Sequence, residues 1–188
     1  MLKFLIQFLK NPKRIGAIAP SGKFLAKKMM LPVNFQNADC IVEYGPGTGV
    51  FTKELVKRKN KKTKLIVIEQ NHLFYKMLKG KFENQPGVYI IEGSAENVNK
   101  YIKKLGFKHA DYIISGLPFA SLPSALSESI LKETQKAIGR KGRFITFQYS
   151  MVKRKFFEQY FRLSGCLLEM RNIPPAYVLV MKLGRIHE

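Results

Sequence analysis

The chain has 188 residues, 46% of them hydrophobic, and its 33 lysines and arginines against 13 acidic residues give a formal net charge of +20. This length is enough to bury a core without disulfides or a structural metal, so we expect one folded domain. The charge favours a polyanionic partner, either the phosphates of a nucleic acid or the surface of an anionic membrane.

The cysteines and histidines argue against a metal site. Cys40 and Cys166 both lie in apolar runs, which predicts two buried, reduced thiols and a cytoplasmic protein. The three histidines are scattered singly and no spacing typical of zinc ligands occurs. We therefore expect no metal.

The first 14 residues, MLKFLIQFLKNPKR, predict an amphipathic helix. Lys3, Gln7 and Lys10 fall on one narrow strip at about 100° per residue, and apolar side chains cover the rest. The segment has no signal-peptide cleavage site and is too short to span a bilayer. Two interpretations stay open: the helix packs on its own domain, or it anchors the protein peripherally to the inner face of an anionic membrane.

A lid and a further helix connect this segment to the rest of the chain. Residues 16–21, GAIAPS, form either a lid over a ligand or a plain loop, and a helix follows through Met30. We accordingly divide the chain into an N-terminal helix and lid segment at residues 1–30 and a ligand-binding domain at residues 31–188.

Strand and helix patterns alternate along the rest of the chain. Apolar runs predict strands at residues 40–44, 64–69, 88–92, 111–115, 142–149, 166–171 and 177–183, and helical patterns lie at 50–58, 72–82, 95–105, 123–138 and 153–163. Continuous apolar strands linked by helices predict an α/β fold, a Rossmann-like doubly wound sheet of seven mostly parallel strands. The last strand should be antiparallel, because only the loop NIPPA precedes it.

The loop after the first predicted strand, in VEYGPGTGVF, is dense in glycine. Gly45, Gly47 and Gly49 permit positive φ angles and let backbone N–H groups approach a ligand at the start of a helix. Glu43 precedes this loop, and its negative charge suits an ammonium or sulfonium group better than a pyrophosphate. Glu69 ends the second strand, where a carboxylate can accept hydrogen bonds from both ribose hydroxyls. The pattern indicates a positively charged adenosyl ligand.

Two further motifs follow the third and fourth predicted strands, EGSAE at residues 92–96 and SGLPF at residues 115–119. The small residues of the first motif leave room for an adenine ring. All four sites lie at the carboxyl ends of successive parallel strands, where open α/β sheets bind ligands.

These motifs resemble those of the class I S-adenosylmethionine-dependent methyltransferases, and among them most closely the bacterial phospholipid N-methyltransferases. The second likeness rests also on FLKNPKRIGAIAPSG near the N-terminus and on RNIPPAYV near the C-terminus. It implies S-adenosylmethionine as the cofactor, the amine of phosphatidylethanolamine-type lipids as the acceptor, and a membrane contact through residues 1–14. The cofactor residues that it implies are Glu43, Gly45, Gly47, Thr48, Gly49, Glu69, Ser94, Ala95 and Glu96.

The predicted catalytic residues surround the acceptor: Ser115, Pro118, Phe119 and Tyr177. Aromatic faces attract the dispersed charge of a methylated amine, and Tyr149 is a further aromatic candidate. For each aromatic residue the alternative is plain core packing.

Two alternative functions stay open. The ribosomal RNA adenine dimethylases resemble this chain in the same loops, yet they carry Asn or Asp before Leu-Pro-aromatic, where this chain has Gly116. They also carry a helical RNA-binding domain after the sheet, which we do not expect in a chain ending at Glu188. The remaining alternative is a non-catalytic module that binds S-adenosylmethionine. We expect a monomer.

Overall fold

The computed structural model describes residues 22–184, so the amphipathic helix predicted at residues 1–14 and the lid predicted at residues 16–21 lie outside the described residues. The helices are α1 (Lys23–Met30), α2 (Val50–Arg58), α3 (His72–Phe82), α4 (Val98–Lys104, preceded by a 3₁₀ turn at Ala95–Asn97), α5 (Ser124–Ala137) and α6 (Arg154–Glu158). The strands are β1 (Cys40–Tyr44), β2 (Lys64–Glu69), β3 (Val88–Glu92), β4 (Ala110–Ser115), β5 (Ile138–Gln148), β6 (Arg162–Glu169) and β7 (Ala176–Lys182).

The strands form one seven-stranded sheet in the order β3-β2-β1-β4-β5-β7-β6. β1 to β5 are parallel to one another, whereas β7 lies between β5 and β6 and is antiparallel to both. The predicted doubly wound sheet with an antiparallel last strand is therefore confirmed. The carboxyl ends of β1 to β5, the start of β7 and the end of β6 all meet at one edge, which we call the carboxyl edge.

Helices cover the sheet on both faces, which explains why its central strands are continuously apolar. All five residues of β1 are buried. One core cluster joins α1 and α2 to the sheet through residues such as Leu25 and Leu55, and a second joins α4, α5 and α6 through residues such as Ile130 and Phe157. Neither face of β1 meets water, so a strand that alternates in polarity would not fit there.

The region between β5 and β6 differs from the sequence-based prediction. A helix was predicted at residues 153–163, but α6 ends at Glu158 and β6 already begins at Arg162, which pairs with Lys182. Phe157 and Phe161 keep their helical spacing because the Phe161 amide donates to the Phe157 carbonyl at 2.9 Å in one further turn, and both rings pack against Phe144. Long-range strand pairing decides the boundary.

The prediction of two buried cysteines was wrong for one of them. Cys40 lies in β1 and is fully buried, whereas Cys166 is exposed. Cys166 belongs to β6, the edge strand of the sheet, where alternate residues are exposed. An apolar run in an edge strand does not imply burial on both faces.

No helix within residues 22–184 is long and apolar enough to cross a membrane.

Candidate functional site

The glycine loop between β1 and α2 is a backbone cradle at the carboxyl edge. Gly45, Gly47 and Gly49 have φ angles of 57°, 54° and 84°, in the region that favours glycine. The Gly45 amide donates to the Ile68 carbonyl at 3.0 Å, which holds the loop to β2. A Cβ placed on Gly47 would meet no atom within 4 Å, so this glycine borders open space. The loop therefore leaves room for a ligand beside Gly47, and Thr48 next to it is half-buried.

Glu43 carries a carboxyl group that is fully buried, one residue before the end of β1. Neither of its oxygens has a hydrogen-bond partner among the described residues, and the buried hydroxyl of Thr52 has none either. Burial raises the pKa of Glu43 from its ordinary 4.5 to about 8, and the nearby Glu69 carboxylate adds to the rise. A buried acid without a partner is costly unless a cation or donor completes it.

Glu69 ends β2 and lies directly beside the glycine loop. Its Oε2 accepts a hydrogen bond from the Gly47 amide at 3.2 Å, and its Oε1 accepts one from the Asn71 amide at 2.8 Å. Burial raises the pKa of this carboxyl, and the backbone amides of Asn71, Gly47 and Gln70 oppose that rise. A carboxylate has about four lone-pair sites, so the Gly47 and Asn71 bonds do not exhaust its capacity to accept from hydroxyls of a ligand.

The EGSAE motif forms the next wall of the same edge. Gly93 donates its amide to the Glu69 carbonyl at 3.0 Å, which joins the end of β3 to the end of β2. The Ser94 hydroxyl caps the 3₁₀ turn by accepting from the Glu96 amide at 3.2 Å, and it donates to Glu96 Oε2 at 3.1 Å. Ala95 is buried and Ser94 is half-buried. The turn is thus tied to β2 and ordered by its own side chains.

The SGLPF motif lies across the glycine loop from EGSAE. Gly116 donates its amide to the Tyr44 carbonyl at 2.8 Å, and a Cβ added to it would lie 2.6 Å from the Gly45 carbonyl oxygen. Ser115 is fully buried, and its hydroxyl accepts from the Leu117 amide at 3.2 Å. The two loops touch through backbone at Gly116, so no side chain fits there without movement.

The three aromatic candidates occupy different environments. Phe119 is fully buried and packs edge-on against Phe144 and Phe157, with ring centroids 6.3 and 5.2 Å away, as the core-packing alternative expects. Tyr177, by contrast, is half-buried at the start of β7, opposite Gln148 at the end of β5. Tyr149 is 38% exposed and packs against Phe147. Only the two tyrosines present surface at the carboxyl edge.

The structure thus brings the predicted cofactor residues together around the glycine loop, with Ser115 and Pro118 beside them and Tyr177 two strands away. Sequence reasoning missed two participants. Thr52 lies one turn into α2 beside Glu43, and Asn71 both caps α3 with its side chain and donates its amide to Glu69. Asn before a helical pattern is a recognisable cap signal, whereas nothing in the sequence marks Thr52. Within residues 22–184 no cluster of metal-ligating side chains occurs.

The family model for ribosomal RNA adenine dimethylase matches residues 2–170 of this chain. The chain belongs to that family. Proteins similar to this chain are named for different acceptors. The chain is 30% identical over 175 residues to an ornithine lipid N-methyltransferase of Singulisphaera acidiphila, covering 92% of this chain and 91% of that protein.

Other relatives in the adenine dimethylase family are similar over a shorter share of their length. The chain is 28% identical over 147 residues to a probable ribosomal RNA small subunit methyltransferase A of Methanococcus aeolicus, covering 78% of this chain and 49% of that protein. It is also 28% identical over 160 residues to a probable ribosomal RNA small subunit methyltransferase A of Thermococcus sibiricus. That similarity covers 85% of this chain and 52% of that protein. The chain thus spans about half the length of these two relatives.

Solved structures show the same fold at low sequence identity. TrmN of Thermus thermophilus matches with a TM-score of 0.69 at 11% identity, covering 92% of this chain and 53% of that one. A SAM-dependent methyltransferase of Aquifex aeolicus matches with a TM-score of 0.68 at 12% identity, covering 96% and 98%. The family and the fold together establish an S-adenosylmethionine-dependent methyltransferase. The buried, unpartnered Glu43 and the open space at Gly47 fit that positively charged cofactor.

Proposed function

We propose that this protein transfers methyl groups from S-adenosylmethionine to the amine of a membrane lipid of the phosphatidylethanolamine type. Two observations support a lipid acceptor over RNA. The similarity to a lipid N-methyltransferase extends over 91% of that relative. The observation that carries the proposal, however, is the backbone contact at Gly116.

Gly116 occupies the position where RNA-type relatives carry Asn or Asp. A side-chain oxygen at that position would accept a hydrogen bond from an adenine amine and orient it. In this chain residue 116 has no side chain. A Cβ added to it would lie only 2.6 Å from the Gly45 carbonyl oxygen, so there is no room for one. The acceptor amine must therefore be positioned by other groups, which favours an acceptor other than adenine.

On the cofactor side, bound S-adenosylmethionine would supply a methyl group on a positively charged sulfur for in-line displacement by the amine. Glu43 places an unpartnered carboxyl beside the loop, and once ionised it would offset the cationic methionine portion. The remaining lone pairs of Glu69 suit the two ribose hydroxyls. The residues proposed to complete the site are Gly45, Gly47, Thr48 and Gly49 for the methionine portion, and Ser94, Ala95 and Glu96 for the adenine side.

On the acceptor side, the chain has to favour a neutral amine, because an ammonium has no lone pair with which to attack. Removal from water disfavours the charged form and lowers the pKa of an ammonium. Ser115 is buried and Pro118 is exposed in the turn beside the glycine loop, and Tyr177 offers a half-buried aromatic face two strands away from β4. Such a face also attracts the quaternary or tertiary ammonium formed as methyl groups accumulate.

The decisive experiment offers three acceptors side by side to the full-length protein with methyl-labelled S-adenosylmethionine. The acceptors are phosphatidylethanolamine liposomes, the same liposomes containing an ornithine lipid, and a ribosomal RNA fragment. We expect the label to extract with lipid, and phosphatidylethanolamine to be accepted. Label on the ornithine lipid alone would change the headgroup assignment, and label on RNA alone would refute the proposal. The Glu69→Ala protein serves as the background control.

A ribosomal RNA adenine N-methyltransferase is the second candidate function. The family model and the methyltransferase A relatives favour it, and a net charge of +20 suits RNA as well as an anionic membrane. The same assay distinguishes the two candidates.

A further inference from the structure

Three apolar side chains project from neighbouring loops at the carboxyl edge. Val152 is 84% exposed, Ile173 78% and Met170 66%, and we call these residues the apolar rim. Val152 follows β5, whereas Met170 and Ile173 lie in the turn between β6 and β7. Because Gln148 and Leu168 both pair with Tyr177, the two loops leave the sheet side by side. The rim therefore borders the proposed acceptor side of the site.

The turn that carries Met170 and Ile173 is held by buried polar contacts. Asn172, only 5% exposed, accepts from the Gly22 amide at 3.1 Å through Oδ1 and donates to the Pro174 carbonyl at 2.7 Å through Nδ2. The Arg171 guanidinium donates two hydrogen bonds, of 2.8 and 2.9 Å, to the buried Glu169 carboxylate. With Asn172 and Glu169 fixed inward, the apolar residues between and beside them face solvent. This exposure is thus built into the turn.

The surroundings of the rim are basic. Arg171, whose side chain is 60% exposed, lies with its guanidinium 4.3 Å from the centre of the Phe24 ring. The other basic residues of these segments are Lys23, Lys27, Lys28, Lys153, Arg154 and Lys155. The acids Glu158 and Glu169 are each already in an ion pair. Excess positive charge therefore surrounds the exposed apolar side chains.

This combination matches an anionic bilayer better than it matches RNA. Lysine and arginine attract the phosphates of either partner, but only a bilayer offers an apolar layer in which Val, Met and Ile side chains become buried. The first described residue, Gly22, also lies beside the rim, because its amide donates to Asn172 in the turn.

We propose that the apolar rim inserts into the interfacial layer of an anionic membrane, so that the carboxyl edge of the sheet faces the bilayer. This inference rests on the proposed lipid acceptor and adds to it a docking surface within the folded domain. The surrounding basic residues contact lipid phosphates, and the lipid amine then reaches the site from the membrane side. Contact through residues 1–14 alone would leave the orientation of the domain free.

The chain contains no tryptophan, so a single introduced tryptophan is a specific reporter of insertion. Three full-length variants are compared: Ile173→Trp, Val152→Trp and the control Leu31→Trp. Leu31 is 63% exposed but lies past the far end of α1, roughly 13 Å along the helix from Gly22. The probe is a vesicle of phosphatidylethanolamine and phosphatidylglycerol with brominated acyl chains, and thermal unfolding checks that each variant is folded.

We expect the emission of the Ile173→Trp and Val152→Trp proteins to shift to the blue and to be quenched at least about twofold, with no change for Leu31→Trp. The double variant Val152→Ser/Ile173→Ser should partition onto the same vesicles about tenfold more weakly. Vesicle binding in which neither rim reporter responds, or in which all three respond alike, would overturn the inference. A response of the rim reporters to an RNA duplex but not to vesicles would replace the membrane with RNA.

Methylation of lipid in detergent micelles separates this inference from the proposed function. Methylated lipid with unresponsive rim reporters refutes the docking surface and leaves the lipid acceptor standing. Inserted reporters without methylation of any lipid support the docking surface and refute the acceptor.

Discussion

Replacing Glu43 with Gln tests whether the buried carboxyl is protonated in the free protein and ionises when the cofactor binds. Its pKa is raised to about 8 in the folded protein, mainly by burial, whereas in the unfolded chain it stays near 4.5. A difference of this size corresponds to roughly 5 kcal/mol between the two protonation states. The total stability of a domain is about 5–15 kcal/mol, so the effect of one side chain is measurable.

The direction follows from proton binding. Between about pH 4.5 and pH 8 the folded protein retains a proton on Glu43 that the unfolded chain has released, so stability is complete below this window and falls as the pH rises through it. Glu43→Gln keeps the shape and cannot ionise. Urea unfolding at about pH 5 should give similar stabilities for both proteins, and at about pH 9 the variant should be more stable by several kcal/mol. Glu83→Gln, at an exposed carboxylate just after α3, is the matched control and should show no such difference.

Bound cofactor should reverse the preference of the folded protein for the protonated form of Glu43. A cation bound beside Glu43 favours its ionised form, so binding at about pH 7 should release a proton from the wild-type protein. Calorimetry in phosphate and in Tris, whose ionisation enthalpies differ, should then give different apparent binding enthalpies. The Glu43→Gln protein should bind S-adenosylmethionine at least about tenfold more weakly and show no buffer dependence. Equal pH dependence of stability in both proteins, or buffer-independent binding to the wild type, would refute the reasoning.

Three further outcomes are expected. Glu69→Ala removes the acceptor of the Gly47 and Asn71 amides and should weaken S-adenosylmethionine binding at least about tenfold in calorimetry; unchanged affinity would remove Glu69 from the site. Gly116→Ala forces the glycine loop to move and should cost about 1–3 kcal/mol of stability together with cofactor affinity, whereas Gly80→Ala, in an open helical position, should stabilise by about 0.5–1 kcal/mol. Deleting residues 1–14 should lower partition onto anionic vesicles at least about tenfold in flotation and leave cofactor binding intact; undiminished flotation would argue against the anchor.

The residues around the glycine loop could be predicted from the sequence because the patterns that mark them are local. The glycine loop, Glu43 and Glu69 each stand at the end of an apolar run, and parallel strands bring such ends to one edge. The structure accordingly places these residues around one loop. The parallel pairing of β1 to β5 followed from the same alternation, and the antiparallel pairing of β6 with β7 followed from the short NIPPA connection.

The acceptor half was less predictable because long-range contacts define it. Phe119 ends the SGLPF motif, which suggested a ring facing the substrate. Phe144 and Phe157, distant in sequence, instead enclose this ring in the core. The Asn172 contact to Gly22 spans 150 residues, and no local pattern announces it. Thr52 likewise matters only because Glu43 folds beside it. Residues whose role depends on a partner far along the chain escape pattern analysis.

The contact between Gly116 and Gly45 joins these two halves. The turn after β4 borders the proposed acceptor, and the loop after β1 borders the cofactor, yet they meet backbone to backbone with no space for a Cβ. A side chain at residue 116 that served an adenine acceptor would displace the loop that holds the cofactor. In this chain a side chain at residue 116 would therefore require the loop after β1 to move as well, so the fit of the two loops depends on glycine at that position.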